Sequence, residues 1–159
     1  MRFANQSSII FKVMGAIENK KAYFDYEIIE KFETGIELVG SEVKSVRAGH
    51  VNLRDSFCFV EGSELFLKNC RISAYDKSSA FTPDELRSRK LLMHKSEIRR
   101  LIGKSREKGW SVIPLRMYFK GRLVKLEIAL AKGKKTYDKK QTIKERDVAR
   151  DMERQIRSL

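Results

Sequence analysis

The segment Trp110–Ala131, "WSVIPLRMYFKGRLVKLEIALA", decides the fold. Val124, Leu126, Ile128 and Leu130 alternate with Lys125 and Glu127, the two-residue period of a strand with one buried face. Lys120-Gly121 breaks the run at its centre, so the segment reads as a hairpin of two long strands. Pro114 has no N–H to give to a ladder and marks an edge or a bulge on the first of them.

Working outward, "SFCFVEGSELFLKNCRIS" (56–73) reads as a second hairpin, closed at Gly62-Ser63, whose register sets Cys58 opposite Leu67 rather than Cys70. "AYFDYEIIEKFETGIELVG" (22–40) reads as a long strand, a tight turn at Thr34-Gly35 and a further strand. "SEVKSVRAG" (41–49) has the marks of a short helix, with Ser41 as cap, Val43 and Val46 on one face and Gly49 as stop. "LLMHKSEIRRLIGKSREKG" (91–109) predicts a helix capped by His94 or Ser96 and closed by Gly109. Its Ile98, Leu101 and Ile102 face inward, and Arg99, Arg100, Lys104, Arg106 and Lys108 face outward. The polar stretch between the two helices, 73–90, is expected to be a surface loop. Six or so strands and two short helices in so short a span imply a closed sheet, because closure leaves no exposed edge. The expected fold is therefore mainly β with short helices, an OB-like closed barrel over residues 19–131. A disordered extension (1–18) precedes it, and a basic C-terminal tail (132–159) follows.

The charge balance narrows the partner. The 159 residues carry 34 Lys and Arg against 21 Asp and Glu, a net of +13, which calls for a polyanion. The excess is segregated: Leu86–Lys108 holds nine basic and two acidic residues, and Ala131–Leu159 holds ten and five, leaving the rest of the chain near neutral. In "ALAKGKKTYDKK" (129–140) five lysines surround Gly133, Tyr137 and Asp138, a composition suited to a phosphate backbone with a ring available for stacking on a base. Beyond it, a thin stripe of Val148, Met152, Ile156 and Leu159 is all the apolar surface the tail offers. Such a segment is expected to be disordered alone and helical on a partner.

Catalytic and metal chemistry find no constellation. Asp25, Glu27 and Glu33 fit a solvated strand face better than a carboxylate pair, and no nucleophile with its base or phosphate-cradling glycine loop stands out. His50 and His94 are isolated and no CxxC is present, so neither a metal nor another cofactor is expected. Cys58 and Cys70 read as reduced thiols of a cytoplasmic protein. The N-terminal apolar stretch is interrupted by Lys12 and offers neither a spanning helix nor a persuasive signal peptide.

Five motifs, in this order and spacing, resemble the SsrA-binding protein family, also called small protein B: "EVKSVRAG" with "VNLRDSF", "RKLLMHKSEI", "VIPLRMYFKGR", "AKGKKTYDKK" and "IKERD". The resemblance runs from Asn19 to Leu159. It implies an OB-like barrel that holds the tRNA-like domain of transfer-messenger RNA, and a tail that enters the empty messenger channel of a stalled ribosome. By position it implies RNA-binding roles for Glu33, Leu92 and His94, with Lys44, Arg47, Asn52, Arg89 and Lys90 as further candidates on the barrel. It implies contacts with RNA at the decoding site of the small subunit for Lys132, Gly133, Lys134, Lys135, Tyr137, Asp138, Lys139 and Lys140. It also implies a monomer that meets elongation factor Tu on aminoacylated transfer-messenger RNA, with no membrane partner. Two other classes stay open on the residues alone. A general single-stranded RNA-binding barrel or ribosome-associated factor would expose aromatics on a sheet face. A membrane-surface protein would need a broader stripe, with Trp or Phe in it.

Overall fold

The computed structural model describes residues 15–75, 82–107 and 109–158. In chain order its elements are β1 (Ile17–Glu18), α1 (Lys20–Asp25), β2 (Tyr26–Ile36), α2 (Gly40–Arg47), β3 (Val51–Asn52), β4 (Phe57–Glu61), β5 (Glu64–Lys68), β6 (Arg71–Ile72), β7 (Arg89–Leu92), α3 (Lys95–Ser105), β8 (Trp110–Lys120), β9 (Leu123–Gly133) and α4 (Thr136–Arg157). Six strands close into a ring in the order β8, β4, β5, β7, β2, β9 and back to β8, with β1 laid on the free part of the β8 edge. Every neighbouring pair in the ring is antiparallel. An even number of strands is what allows such a ring to close without a parallel join. β3 and β6 form a separate two-stranded ribbon.

Alternation along β9 sends Val124, Leu126, Ile128 and Leu130 into the ring, where they meet Leu65, Leu67, Leu91, Val112 and Met117. Burial of each large side chain contributes roughly 1.5–3 kcal/mol. α3 adds the fully buried Leu101 to the same core. The opposite phase of β9 is also apolar: Ala129 and Ala131 join Ile113 and Leu115 outside the ring, under Ala22 of α1. Small side chains there let the helix lie close to the sheet. The register slips between Pro114 and Arg116, so of the edge or bulge that the proline allowed, the structure has the bulge. Asn19 is buried at that bulge. Its Nδ2 donates to the Pro114 carbonyl (2.9 Å) and its backbone N–H to Leu115 (2.7 Å), while its Oδ1 accepts from Ala22 N (3.3 Å) as the cap of α1.

The 58-to-67 register of the β4–β5 hairpin is as the sequence implied, and both cysteines are buried free thiols. Burial pushes both thiols up, that of Cys70 to about 12. Other expectations are corrected. Thr34-Gly35 is not a turn: β2 runs through it, with Thr34 buried and Gly35 opposite Leu92. Residues 22–25 are helix, not strand. The extension is shorter than read, since Ile17 and Glu18 pair with Met117 and Arg116; residues 1–14 lie outside the described residues. Ser41 does not cap α2. That helix begins at Gly40, and the Val39 N–H is met instead by Glu42 Oε1 at 3.1 Å. Leu91 and Leu92 belong to β7, and α3 begins only at Lys95. The outward face read on α3 is partly spent within the barrel, because Arg100 (2.7 Å) and Lys104 (2.6 Å) both hold Glu30 of β2. Of the expected loop, 76–81 lies outside the described residues, and its last two residues, Arg89 and Lys90, are strand. The break placed at Ala131 falls slightly later, with β9 ending at Gly133 and α4 starting at Thr136.

One interior contact is ionic. Arg89 has no exposed surface; its Nε donates to Glu42 Oε2 (2.5 Å), and its Nη atoms donate to the carbonyls of Cys70 (2.7 Å), Arg87 (3.2 Å) and Glu85 (3.1 Å). Arg87 reaches the other carboxylate oxygen of Glu42. Burial alone would push the Glu42 carboxyl up, but Arg87, the Val39 N–H and Arg89 outweigh it and hold it below 4.5. Arg89→Met would leave Glu42 buried and short of a partner, at an expected cost of about 3–5 kcal/mol in urea unfolding at pH 7. The stability that Glu42 contributes is present above pH 4.5 and is lost as pH falls through its lower folded value. Glu42→Gln should therefore flatten the acid slope of stability, and an unchanged slope would assign that slope to other carboxylates.

Candidate RNA interface

β2 and β9 pair from Tyr26↔Gly133 to Gly35↔Lys125, so the ladder has two ends. The nine steps between Tyr26 and Gly35 put them roughly 30 Å apart. The candidate residues divide between these ends.

At the Gly35 end, Glu33 faces outward from β2. It accepts a hydrogen bond from the Tyr118 hydroxyl and pairs with Lys120 Nζ at 3.1 Å. The Tyr118 hydrogen bond, with Lys120 and Lys125 nearby, holds the Glu33 carboxyl below its ordinary value. Arg116 lies 5.1 Å from the centre of the Tyr118 ring and also binds Glu127, so the outer face of β2, β9 and β8 is a ladder of alternating charge. Leu92 is 49% exposed on β7. A Cβ on Gly35 would stand 3.1 Å from the Leu92 Cβ, which explains the glycine: it lets the Leu92 side chain lie across β2. His94 stands at the cap position of α3 without capping it and is exposed. α2 reaches the same end through Arg47, whose guanidinium lies 5.5 Å from the centre of the Phe119 ring, one residue from Lys120. Lys44 is exposed one turn earlier, its ammonium 5.6 Å from the Tyr75 ring. Thus Glu33, Leu92 and Arg47 lie toward the tip of the β8–β9 hairpin, with Lys44 one turn of α2 away beside Tyr75.

Three candidates stand differently. Arg89, read as part of the RNA face, is wholly inside the barrel and bound to Glu42, which is a correction. Strand alternation turns it inward and turns its neighbour Lys90 outward, where Lys90 Nζ pairs with Glu64 at 2.9 Å. Asn52 is exposed on β3, its Oδ1 accepting from Arg54 N at 2.9 Å, beside a cavity of about 560 Å³ lined by Gly49, His50 and Arg71. Tyr118 and Lys120 escaped the sequence reading. The only available signal was their register across β9 from a carboxylate on β2.

At the Tyr26 end lie the lysines of the tail. Lys132 and Gly133 complete β9 and are exposed; a Cβ on Gly133 would meet nothing within 4 Å, so the backbone there is open to close approach. Lys134 is tied down, its N–H donating to Asp25 O (2.9 Å) and its Nζ to Tyr23 O (3.2 Å) and Thr142 Oγ1 (3.1 Å). Lys135 precedes α4 and is exposed, as is Lys140. Tyr137, Asp138 and Lys139 occupy the first turns of α4, and their side-chain contacts lie outside the described residues. Cations at a helix N-terminus oppose the helix dipole, so this arrangement weakens the helix while raising the local positive potential. An anion there relieves both. Farther along, Ile143, Val148, Met152 and Ile156 are 45%, 54%, 59% and 71% exposed.

A family model described as SmpB protein matches residues 16–158. The SsrA-binding protein of Carboxydothermus hydrogenoformans is 55% identical over 141 residues, which span 89% of this chain and 95% of the relative. That of Bacillus subtilis is 50% identical over 140 residues, spanning 88% and 90%. A chain of the solved structure "tmRNA-SmpB: a journey to the center of the bacterial ribosome" superposes with a TM-score of 0.66 at 48% identity, over 76% of this chain and 85% of that one.

Since Leu92 and His94 are exposed, the double variant Leu92→Ala, His94→Ala should leave the thermal transition within about 2 °C while weakening binding to structured RNA severalfold. A parallel loss of fold and affinity would return both residues to structural roles.

Proposed function

The chain belongs to the SmpB family, and from that premise we propose that it binds the tRNA-like domain of transfer-messenger RNA and brings it to ribosomes stalled without a stop codon. It works by binding and not by catalysis. The observation that carries this reading is that the β2–β9 ladder separates the candidate residues into two groups, with the exposed Lys44 and Arg47 toward one end and Lys132, Lys135 and Lys140 at the other. The end around Glu33, Leu92, Lys44 and Arg47 grips the folded RNA, while the lysines from Lys132 to Lys140, at the other end, meet ribosomal RNA at the decoding site of the small subunit. A protein bridging two RNAs needs its contacts apart, and roughly 30 Å along a rigid ladder provides that.

The tail follows the same logic. α4 spans ~33 Å at 1.5 Å per residue, long enough to lie along a channel and not merely touch its mouth. The barrel holds it near its start, through Lys134 to Thr142 and Arg146 against the Phe24 ring at 5.9 Å. Its later turns are exposed on every side, so their order depends on whatever covers the apolar stripe. In this proposal the cover is the empty messenger channel. Elongation factor Tu, carrying aminoacylated transfer-messenger RNA, completes the set of partners of a monomer that works in the cytoplasm. No helix among the described residues is long and apolar enough to cross a membrane.

The test is a chain ended after Gln141. It should keep its affinity for transfer-messenger RNA to within about threefold, since the Gly35 end is intact, yet fail to support peptide tagging in a reconstituted reaction on ribosomes lacking downstream message. Normal tagging by the shortened chain, or loss of RNA binding as severe as the loss of tagging, would overturn this division of labour.

A further inference from the structure

The outer face of β4, β5 and β7 carries a cluster that neither end of the ladder uses. Alternation turns Cys58, Leu65, Leu67, Arg89 and Leu91 inward, which leaves Phe57, Phe59, Phe66, Lys68, Lys90 and Leu92 outside, with Glu61 and Glu64 at the hairpin end of the same face. The register sets Phe57 opposite Lys68, Phe59 opposite Phe66, and Phe66 opposite Lys90. The Phe59 and Phe66 rings stack, with centroids 5.6 Å apart and planes at 24°, and Phe57 leans on Phe59 at 6.4 Å. Lys68 Nζ lies 5.8 Å from the Phe59 ring. None of the three rings belongs to the buried core clusters, and Phe57 is 39% exposed.

We infer that this face is a stacking platform for unpaired bases of the bound RNA, an inference that rests on the RNA-binding reading above. A cross-strand Phe pair stabilises a hairpin, but that role needs neither a third ring left partly bare nor lysines set among the rings. Protein-binding surfaces deplete lysine at their centres, whereas surfaces for single-stranded nucleic acid interleave rings for the bases with cations for the phosphates. Lys68 stands directly across from Phe57, so a base lying on that ring would have its phosphate beside an ammonium; Lys90 stands across from Phe66, where a phosphate would have to take it from Glu64, its partner at 2.9 Å. The platform is continuous with Leu92, two residues from Lys90 on the same outward phase of β7, and so extends the Gly35 end of the ladder around the barrel.

The probes are a single-stranded RNA octamer of mixed sequence and its abasic counterpart, which keeps the ribose-phosphate chain and lacks the bases. The full-length protein should bind the octamer at least about fivefold tighter than the abasic chain, the lower end of what one stacked base contributes. Phe57→Ala with Phe66→Ala should bring that ratio close to one while the abasic affinity and its salt dependence stay the same. Should the double variant lose its fold, photocrosslinking of 5-iodouridine in the octamer to the native protein decides independently: adducts at Phe57, Phe59 or Phe66 support the platform, and adducts confined to other residues overturn it. Equal affinity of the native protein for the two chains overturns the platform and leaves RNA binding standing. Binding to neither chain, together with no affinity for intact transfer-messenger RNA, overturns the RNA-binding reading and the platform with it.

Discussion

Everything in this molecule depends on β9 being hydrogen-bonded along both edges for nearly its whole length. On one side it pairs with β8 from Lys132 to Leu123, on the other with β2 from Gly133 to Lys125. Those two ladders close the ring, since β8 and β2 reach each other the long way round through β4, β5 and β7. The inner face of β9 is covered by its own alternating aliphatics, and its outer face is covered by α1 over Ala129 and Ala131 and carries charge at Lys125 and Glu127. A strand fixed in this way is a rigid rod, and the two surfaces proposed to meet RNA are set by its two ends.

Electrostatics completes the arrangement from inside. The Arg89–Glu42 pair joins β7 to α2 and has its remaining donors satisfied by the Cys70, Arg87 and Glu85 carbonyls. Its worth lies less in net stability, which burial of two charges largely cancels, than in fixing one placement of α2. That placement directs Arg47 toward the β8–β9 tip and Lys44 toward Tyr75. Buried charge thus positions exposed charge. At the far end of the ladder the lysines before and within the first turns of α4 act against the helix dipole, a local cost that a phosphate would remove.

The parts legible in sequence were those governed by one period or one turn. The alternation from Val124 to Leu130 and the 58-to-67 register each follow from a rule with little competition, and Pro114 narrowed its site to an edge or a bulge. Gly35 failed because a strand glycine that admits a neighbouring side chain looks, in one dimension, like a turn glycine; the Leu92 Cβ that requires it comes from another strand. Arg89 failed for a related reason, while its neighbour Lys90 does face outward. Both sit in a basic segment, and only knowledge that β7 is a strand reveals that one points in and the other out. α1 is six residues long, too short for periodicity, and its cap Asn19 is recognisable only beside the Pro114 bulge it fills. The Glu33–Tyr118–Lys120 contact is a cross-strand event, invisible until β2 and β8 are known to flank β9.

The claim that most needs a direct answer is that the partner is one particular structured RNA and not RNA in general. Recovering the full-length protein with an affinity tag from its native cells, at an ionic strength high enough to strip loosely held polyanions, and sequencing the RNA that accompanies it answers this. Transfer-messenger RNA should dominate, enriched far beyond its share of total RNA. Recovered RNA spread across messages and ribosomal fragments in proportion to their abundance would contradict that claim.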